Sequence, residues 1–406
     1  MTTAGVKPTV GVSSGDGGAA AGRIGAGTCS VMFAYDAGFA IDLDAAERRI
    51  TEATVREVIR HRRRAPAHFD FRPAPLRVTQ AAEPIPIGST PWRTGASVEC
   101  VLYDFGAVSV TYTVPLGADG NDGSAAGAGP RDLDGLLLLS NALYDNAALL
   151  ADSRRRVERL VAALGPAIAK PEISDLVEDY VIYQIRELPP GELAGGGAAR
   201  WFDRHGARVA QVLRSESEPL SAQEVAEALA ARCSYTPADE AVIDWNAAVL
   251  LMDDAEEVKT VLEFANVELL EVRFLDDMLD RALERAYEAL QRESRRGLLG
   301  WGSDTAGLER LARLQVDSAI LFEGVNNALK LVGDQYLARL YRLAAHRLHL
   351  PEWDASILRK LETVESIYQK IHDRQSTRRM ELLEWIIIVL IAISILVMFL
   401  PNTGGH

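Results

Sequence analysis

The chain has 406 residues, a quarter of them charged, and a formal net charge of -14. That length allows two or three packed units, and the acidic balance argues against a dedicated nucleic-acid binder, so no direct sequence-specific contact with nucleic acid is expected. Cys29, Cys100 and Cys233 stand far apart, within or beside apolar runs, and read as small core residues in a reducing compartment.

Residues 1–28 are rich in Gly, Ala, Thr and Ser, lack the apolar centre of a signal peptide, and read as a disordered tail. Ser30 to Asp36 has the pattern of a first strand. Asp44 and Glu47 have capping-box spacing, which predicts a helix from Ala45 to about Arg62. Pro66, Pro73 and Pro75 enforce extended chain before a short strand at Leu76 to Gln80. The clearest β signal comes next: Val98, Cys100 and Leu102 alternate with Glu99, Val101 and Tyr103. After Asp104-Phe105-Gly106, Val108, Val110, Tyr112 and Val114 alternate with Ser109, Thr111 and Thr113. This is a hairpin with one apolar face. A Gly/Ala/Asp loop over 117–130 leads to a helix from Leu133 to Leu164, which Pro166 ends.

A second strand region starts at Asp179, in DYVIYQIREL, and stops at Pro189-Pro190-Gly191. Arg200 to Arg214 reads as helix, and Ser221 with Glu224 caps another that runs to about Arg232. Ala241 to Leu250 then echoes the first hairpin, because Asp104-Phe105-Gly106-Ala107 and Asp244-Trp245-Asn246-Ala247 share an Asp, an aromatic, a residue tolerant of positive φ, and Ala. The echo suggests two related units.

Beyond Asp254 the pattern is long helix. A first stripe runs through Leu262, Ala265, Leu269, Val272, Leu275, Leu279, Leu283, Ala286 and Leu290, and Gly297 to Gly302 breaks it. A second runs from Leu311 to Leu343, to a break near Pro351. A third, Ile357, Leu361, Val364, Tyr368 and Ile371, holds a heptad register and is the candidate seam of a homo-oligomer, with packing inside one chain as the alternative. Asp253 to Glu293 holds thirteen acidic residues against five basic ones, a pattern that suits a solvated helix face better than an acidic docking surface.

The uncharged run from Trp385 to Leu400, extended by Leu382 and Leu383, has the length of one transmembrane helix. Its anchor residues would be Trp385, Ile386, Ile387, Ile388, Leu390, Ile391, Leu396, Phe399 and Leu400. Lys370, Arg374, Arg378 and Arg379 form the basic flank that would place the body in the cytoplasm by the positive-inside rule. The expected architecture is α+β: a tail over 1–28, two possibly duplicated strand-helix-hairpin units over 29–165 and 172–254, a helical stalk over 255–377, and a single-pass anchor over 382–400.

Val101 to Val108, the Tyr180 to Ile185 strand and Leu383-Glu384-Trp385-Ile386-Ile387-Ile388 together resemble the required-for-meiotic-nuclear-division family, a domain of unknown function, over roughly Cys29 to Leu400. The resemblance implies an oligomeric, non-catalytic inner-membrane support protein; the family's mitochondrial members act in translation as ribosome tethers, a role that is open for this chain. Ser394 stands where many relatives carry an acidic residue, which puts any role for an intramembrane charge in doubt.

Chemical motifs are weak. Asp104-Phe105-Gly106 lacks the other kinase elements. Gly22, Gly25 and Gly27 precede a strand where a dinucleotide fingerprint would follow one. His346 and His349 lack a third metal ligand. Arg62, Arg63 and Arg64 suit a helix C-terminus or, less often, a phosphate, and Asp70 and Arg72 suit a turn or ion pair. No cofactor, metal or catalytic residue is expected. Three readings stand: a tail-anchored scaffold, an enzyme or small-ligand domain in the α/β body that uses Asp104 and Asp244, and a tethering or fusion protein.

Overall fold

The computed structural model describes residues 22–50, 54–56, 59–60, 68–69, 73–117, 129–192, 197–295 and 335–399. Arg62 to Arg64, Asp70 and Arg72 lie outside them, as does most of the second stripe. Thirteen described strands, β1 (Ala26–Asp36), β2 (Gly38–Ile41), β3 (Thr54–Arg56), β4 (Ile59–Arg60), β5 (His68–Phe69), β6 (Leu76–Ala81), β7 (Ser97–Leu102), β8 (Ala107–Gly117), β9 (Ile168–Pro171), β10 (Val177–Glu187), β11 (Arg232–Cys233), β12 (Glu240–Ile243) and β13 (Ala247–Leu251), build one large sheet and two small pairs. The large sheet has nine strands in the order β11-β12-β13-β10-β1-β8-β7-β6-β3. It is mixed: β10 and β13 are parallel, and every other pair is antiparallel.

Helices cover both faces. On one lie α1 (Leu43–Arg49), α2 (Leu133–Leu143), α3 (Ala147–Leu164), α4 (Gly197–Arg214) and α5 (Ala222–Ala228); on the other lie α6 (Glu256–Arg295), α7 (Gln335–Arg347) and α8 (Leu350–Phe399). Strand periodicity divides the side chains between the two cores. Val31, Phe33 and Tyr35 point into the first with Trp201 and Leu136, whereas Met32 and Ala34 point into the second with Phe264 and Leu337. The protein is thus α+β, with a sheet between two helical layers.

Several expected elements hold. The β7-β8 hairpin has the register that its alternation implies, with Cys100 opposite Val110. Ser221 caps α5 by accepting from the Glu224 N–H at 3.2 Å. Others differ for local reasons. The first helix is capped by Asp42, which accepts from the Ala45 N–H at 2.9 Å, and stops at Arg49. The long helix over 133–164 is two, broken where Asp145 takes a left-handed φ of 51° and Asn146 caps α3. Residues 22–28 are not tail: β1 starts at Ala26, and a Cβ on Gly27 would lie 2.2 Å from the Gln184 carbonyl oxygen of neighbouring β10.

Both expected units lie in the one nine-stranded sheet, and the echo between them is confined to the turns. β1 and β8 are antiparallel whereas β10 and β13 are parallel, so no single rotation carries one strand pair onto the other. Phe105 is buried against Tyr103 and Phe264, with ring centroids at 5.3 and 6.5 Å, but Trp245 is 48% exposed. Gly106, at φ 106°, sits so close to the Gly38 carbonyl that no Cβ would fit; Asn246 does not take a positive φ.

The expected stalk begins as a core layer. Leu262, Ala265, Val272, Leu275 and Leu279 are buried as the stripe requires, but so are Val261, Phe264, Val267 and Leu270, because α6 lies between the sheet and α7/α8. Ile357 and Val364 of the candidate seam are buried in the same chain, and Leu361 packs beside them; this part of the seam is not free for a second copy. The side chains of Tyr368 and Ile371 lie outside the described residues.

Among the described residues no helix is long and apolar enough to cross a membrane. This overturns the transmembrane helix over 382–400 and, with it, the tail anchor and the inner-membrane placement. Ile387, Ile388, Leu390 and Ile391 of α8 are each more than half exposed. The side chains of Trp385, Ile386, Leu396, Phe399 and Leu400 lie outside the described residues, as do those of Arg374, Arg378 and Arg379; Lys370 is exposed.

The layers meet at Asp244, in the β12-β13 turn and fully buried. Arg214, the last residue of α4, donates from Nε to Oδ2 at 3.1 Å, and Arg347, the last residue of α7, donates from Nε to Oδ1 at 2.6 Å. Tyr180 donates to the Asp244 carbonyl at 2.9 Å. The acidic face of α6 is also partly internal. Glu268 accepts from the Tyr341 hydroxyl at 2.6 Å, and burial pushes its carboxyl up to about 8. Glu271, fully buried with neither oxygen hydrogen-bonded among the described residues, is pushed well above the usual range by burial and by nearby Asp36. Asp36 is itself pushed up to about 7, chiefly by burial. The solvated-face expectation therefore fails for these positions.

Two outcomes are expected. Asp244→Ala removes the buried acceptor shared by two guanidinium groups, leaving them only Glu224 and Glu227 at their outer edges, and should cost about 3 kcal/mol in urea unfolding, whereas conversion of exposed Asp175 to Ala should change little. For Asp36 and Glu268 the folded pKa is raised, so their contribution is fully present below their ordinary values of 3.8 and 4.5 and is lost as pH rises through about 7 to 8. Urea midpoints should fall from pH 5 to pH 8.5, and Glu268→Gln should flatten that decline; an equally steep curve in the variant would assign the proton uptake elsewhere.

Candidate functional site

The two aspartates singled out in the sequence do not form a site. Their turns are separated by β1 and β10, three inter-strand spacings or roughly 14 Å across the sheet. They are also offset along it, since Ala107 is level with Asp36 while Ala247 is level with Val181, itself opposite Val31. Asp104 accepts backbone N–H groups while burial raises its pKa, and Asp244 is consumed by the two arginines. Among the described residues no group of three or more His, Cys, Asp or Glu could hold a metal, and His349 faces Glu352 on the surface. All three cysteines are buried and free, and burial pushes the Cys29 thiol far up.

What strand register does assemble is a polar floor. Met32, Thr111, Glu99 and Thr79 form one row across β1, β8, β7 and β6; Ser30 is opposite Thr113, and Ser97 lies one residue beyond the Val98–Tyr112 pair. Alternation sends them all to the face that carries α6. On that helix Glu256, Lys259, Thr260 and Glu263, spaced i, i+3, i+4 and i+7, present one face to the floor. Floor and wall enclose a cleft of about 220 Å³, which Arg77 also lines.

Four of its five charged residues form two pairs, and Glu263 is the fifth. Arg77 donates to Glu99 at 2.6 Å, and Lys259 contacts Glu256 one turn away on the helix. Thr260 donates back to the Glu256 carbonyl at 2.9 Å. Ser30, Thr111, Thr260 and Glu263 are buried, while Thr79, Ser97 and Glu256 stand exposed at the mouth. Thr111, 7% exposed, has a hydroxyl with no hydrogen-bond partner among the described residues. A hydroxyl in that state takes its hydrogen bond from water or from a guest that enters the cleft.

In the sequence Ser109, Thr111 and Thr113 show only as the polar face of a hairpin. The signal available was alternate Ser and Thr on β1 and β8, with a single Thr or Ser on β6 and β7. Only the register, which places β1 between β8 and β10, turns that recurrence into a surface.

The family described as "Uncharacterized protein MJ0711, N-terminal domain" matches residues 26–257, more than half of the chain. The chain is 26% identical over 231 residues to "Uncharacterized protein MJ0711" of Methanocaldococcus jannaschii, an alignment that covers 56% of this chain and 68% of that relative. No solved structure matches. These matches replace the resemblance to the required-for-meiotic-nuclear-division family, on which the expectations of a translation role and a ribosome partner rested alone. With the sheet, the first helical layer and the whole cleft floor inside the matched region, the chain belongs to the MJ0711 N-terminal domain family.

Proposed function

We propose that the chain is a non-catalytic binding protein for a small polar molecule, held in the cleft between the sheet and α6. The observation that carries this reading is the unpartnered Thr111 hydroxyl, buried within a floor of other hydroxyls. A sheet face meant only for packing would carry Val or Ile at these positions, and one meant only for solvent would not bury Ser30 and Thr111. Binding is favoured over catalysis because no His or Cys lines the cleft and both of its cations are neutralised by carboxylates.

A screen of small polar metabolites by thermal shift tests the reading. Thr79 is exposed at the mouth, so Thr79→Phe should fold normally and obstruct entry. Stabilisation by a hit should be lost in this variant. A hit that stabilises both proteins equally binds elsewhere.

A second reading keeps the expected homo-oligomeric scaffold and moves its contact to the far end of α8. It is favoured by Ile387, Ile388, Leu390 and Ile391, each more than half exposed on one helix. Ile387→Asp combined with Ile391→Asp should lower the assembled mass in native mass spectrometry without moving the thermal midpoint, because neither side chain touches the two cores.

A further inference from the structure

The chemistry of the cleft narrows its ligand. We propose that it takes a small polyhydroxylated molecule, a monosaccharide or short polyol; this rests on the cleft being the binding site. Three features lead there.

The first is hydrogen-bonding type. Ser30, Thr79, Ser97, Thr111 and Thr113 each offer a hydroxyl that can donate and accept. A guest that itself both donates and accepts at many points matches such a floor. A purely anionic guest would leave the hydroxyl lone pairs idle, and a purely cationic one would leave their protons idle.

The second is charge. The Arg77–Glu99 and Lys259–Glu256 pairs present donors beside acceptors, with the positive charge of each pair already balanced. A phosphate or carboxylate would have to compete with Glu99 for Arg77 and with Glu256 for Lys259, and would meet repulsion from both. A neutral diol can accept from the cation and donate to the carboxylate of the same pair without breaking it.

The third is size. The cleft, about 220 Å³ and open at its mouth, lies below the ~300 Å³ at which pockets for drug-sized ligands begin. One sugar ring or a short polyol is smaller than such ligands. Met32 supplies an apolar spot on the floor against which C–H groups can rest.

Isothermal titration of the full chain separates this proposal from the one beneath it. The probes are D-glucose, D-ribose and glycerol on one side, and glycine, L-glutamate and inorganic phosphate on the other. The expected result is binding of at least one polyol. That binding should weaken about tenfold in Thr111→Val, the equivalent of one buried hydrogen bond, and should be lost in Thr79→Phe. Ser97→Ala, at an exposed position, should also weaken it and serves if Thr111→Val does not fold by circular dichroism. If only glycine, glutamate or phosphate binds, and Thr79→Phe abolishes it, the polyol assignment is overturned while the cleft stands. Polyol binding untouched by all three substitutions, or no binding by any of the six probes, overturns the polyol assignment; in the latter case a metabolite screen that finds no hit sensitive to Thr79→Phe removes the cleft reading as well.

Discussion

A single buried carboxylate joins the three layers. Asp244 sits in a tight turn at one end of the sheet, and the guanidinium groups that neutralise it arrive from helices on opposite faces. Both arginines occupy the last position of their helices, where the helix dipole favours a cation. The same residues therefore end α4 and α7 and fix where those ends lie. A desolvated Asp with one partner would be costly; with two, and with Tyr180 holding its backbone, it becomes the reference point for both layers. Glu224 and Glu227 bring further negative charge to the outer edges of the arginines, so the cluster is a network and not an isolated pair.

The placement of α6 follows from having apolar residues on two sides. The face with Phe264 meets Tyr103 and Phe105 of the first hairpin, and the rest meets α7 and α8. A helix enclosed in this way has little surface left for its charges. That is why Glu268 and Glu271 are internal, and why Arg273, paired with Glu178 of β10, ties the helix to the sheet. Only the first two turns extend over the hydroxyl floor, and there the helix offers charged and polar groups. One helix thus acts as core over most of its described length and as the wall of a cleft at its beginning.

The parts legible in the sequence were those in which one local rule decides. Alternation over 98–114 names both strands and their register, and Ser221 with Glu224 names a helix start. The parts that were not legible depend on what lies opposite. A stripe such as Leu262, Ala265, Leu269 says that a face is buried but not whether a sheet or a second helix covers it, so a core layer was read as a stalk. The acidic run over 253–293 was assigned to solvent because charge normally is; nothing local marks Glu271 as internal. The break at Asp145 needs a non-glycine residue in a left-handed conformation, which composition does not announce. The repeated Asp-aromatic turns are similar in sequence because both close tight hairpins, and the strand directions around them separate the two. The cleft was invisible for a related reason: its hydroxyls are contributed by strands far apart in the chain.

The boundary of the family match runs through that cleft. Ser30, Thr79, Ser97, Thr111 and Thr113 fall inside residues 26–257, as does Glu256, but Lys259, Thr260 and Glu263 lie beyond its end. Floor and wall also differ in how their side chains are held. The floor is locked into a nine-strand register, where a one-residue slip would turn every side chain over. The wall is a helix face, on which single substitutions leave the backbone unmoved. Under the proposed reading, exchange of wall residues on one helix face would change selectivity without touching the strand register that holds the floor.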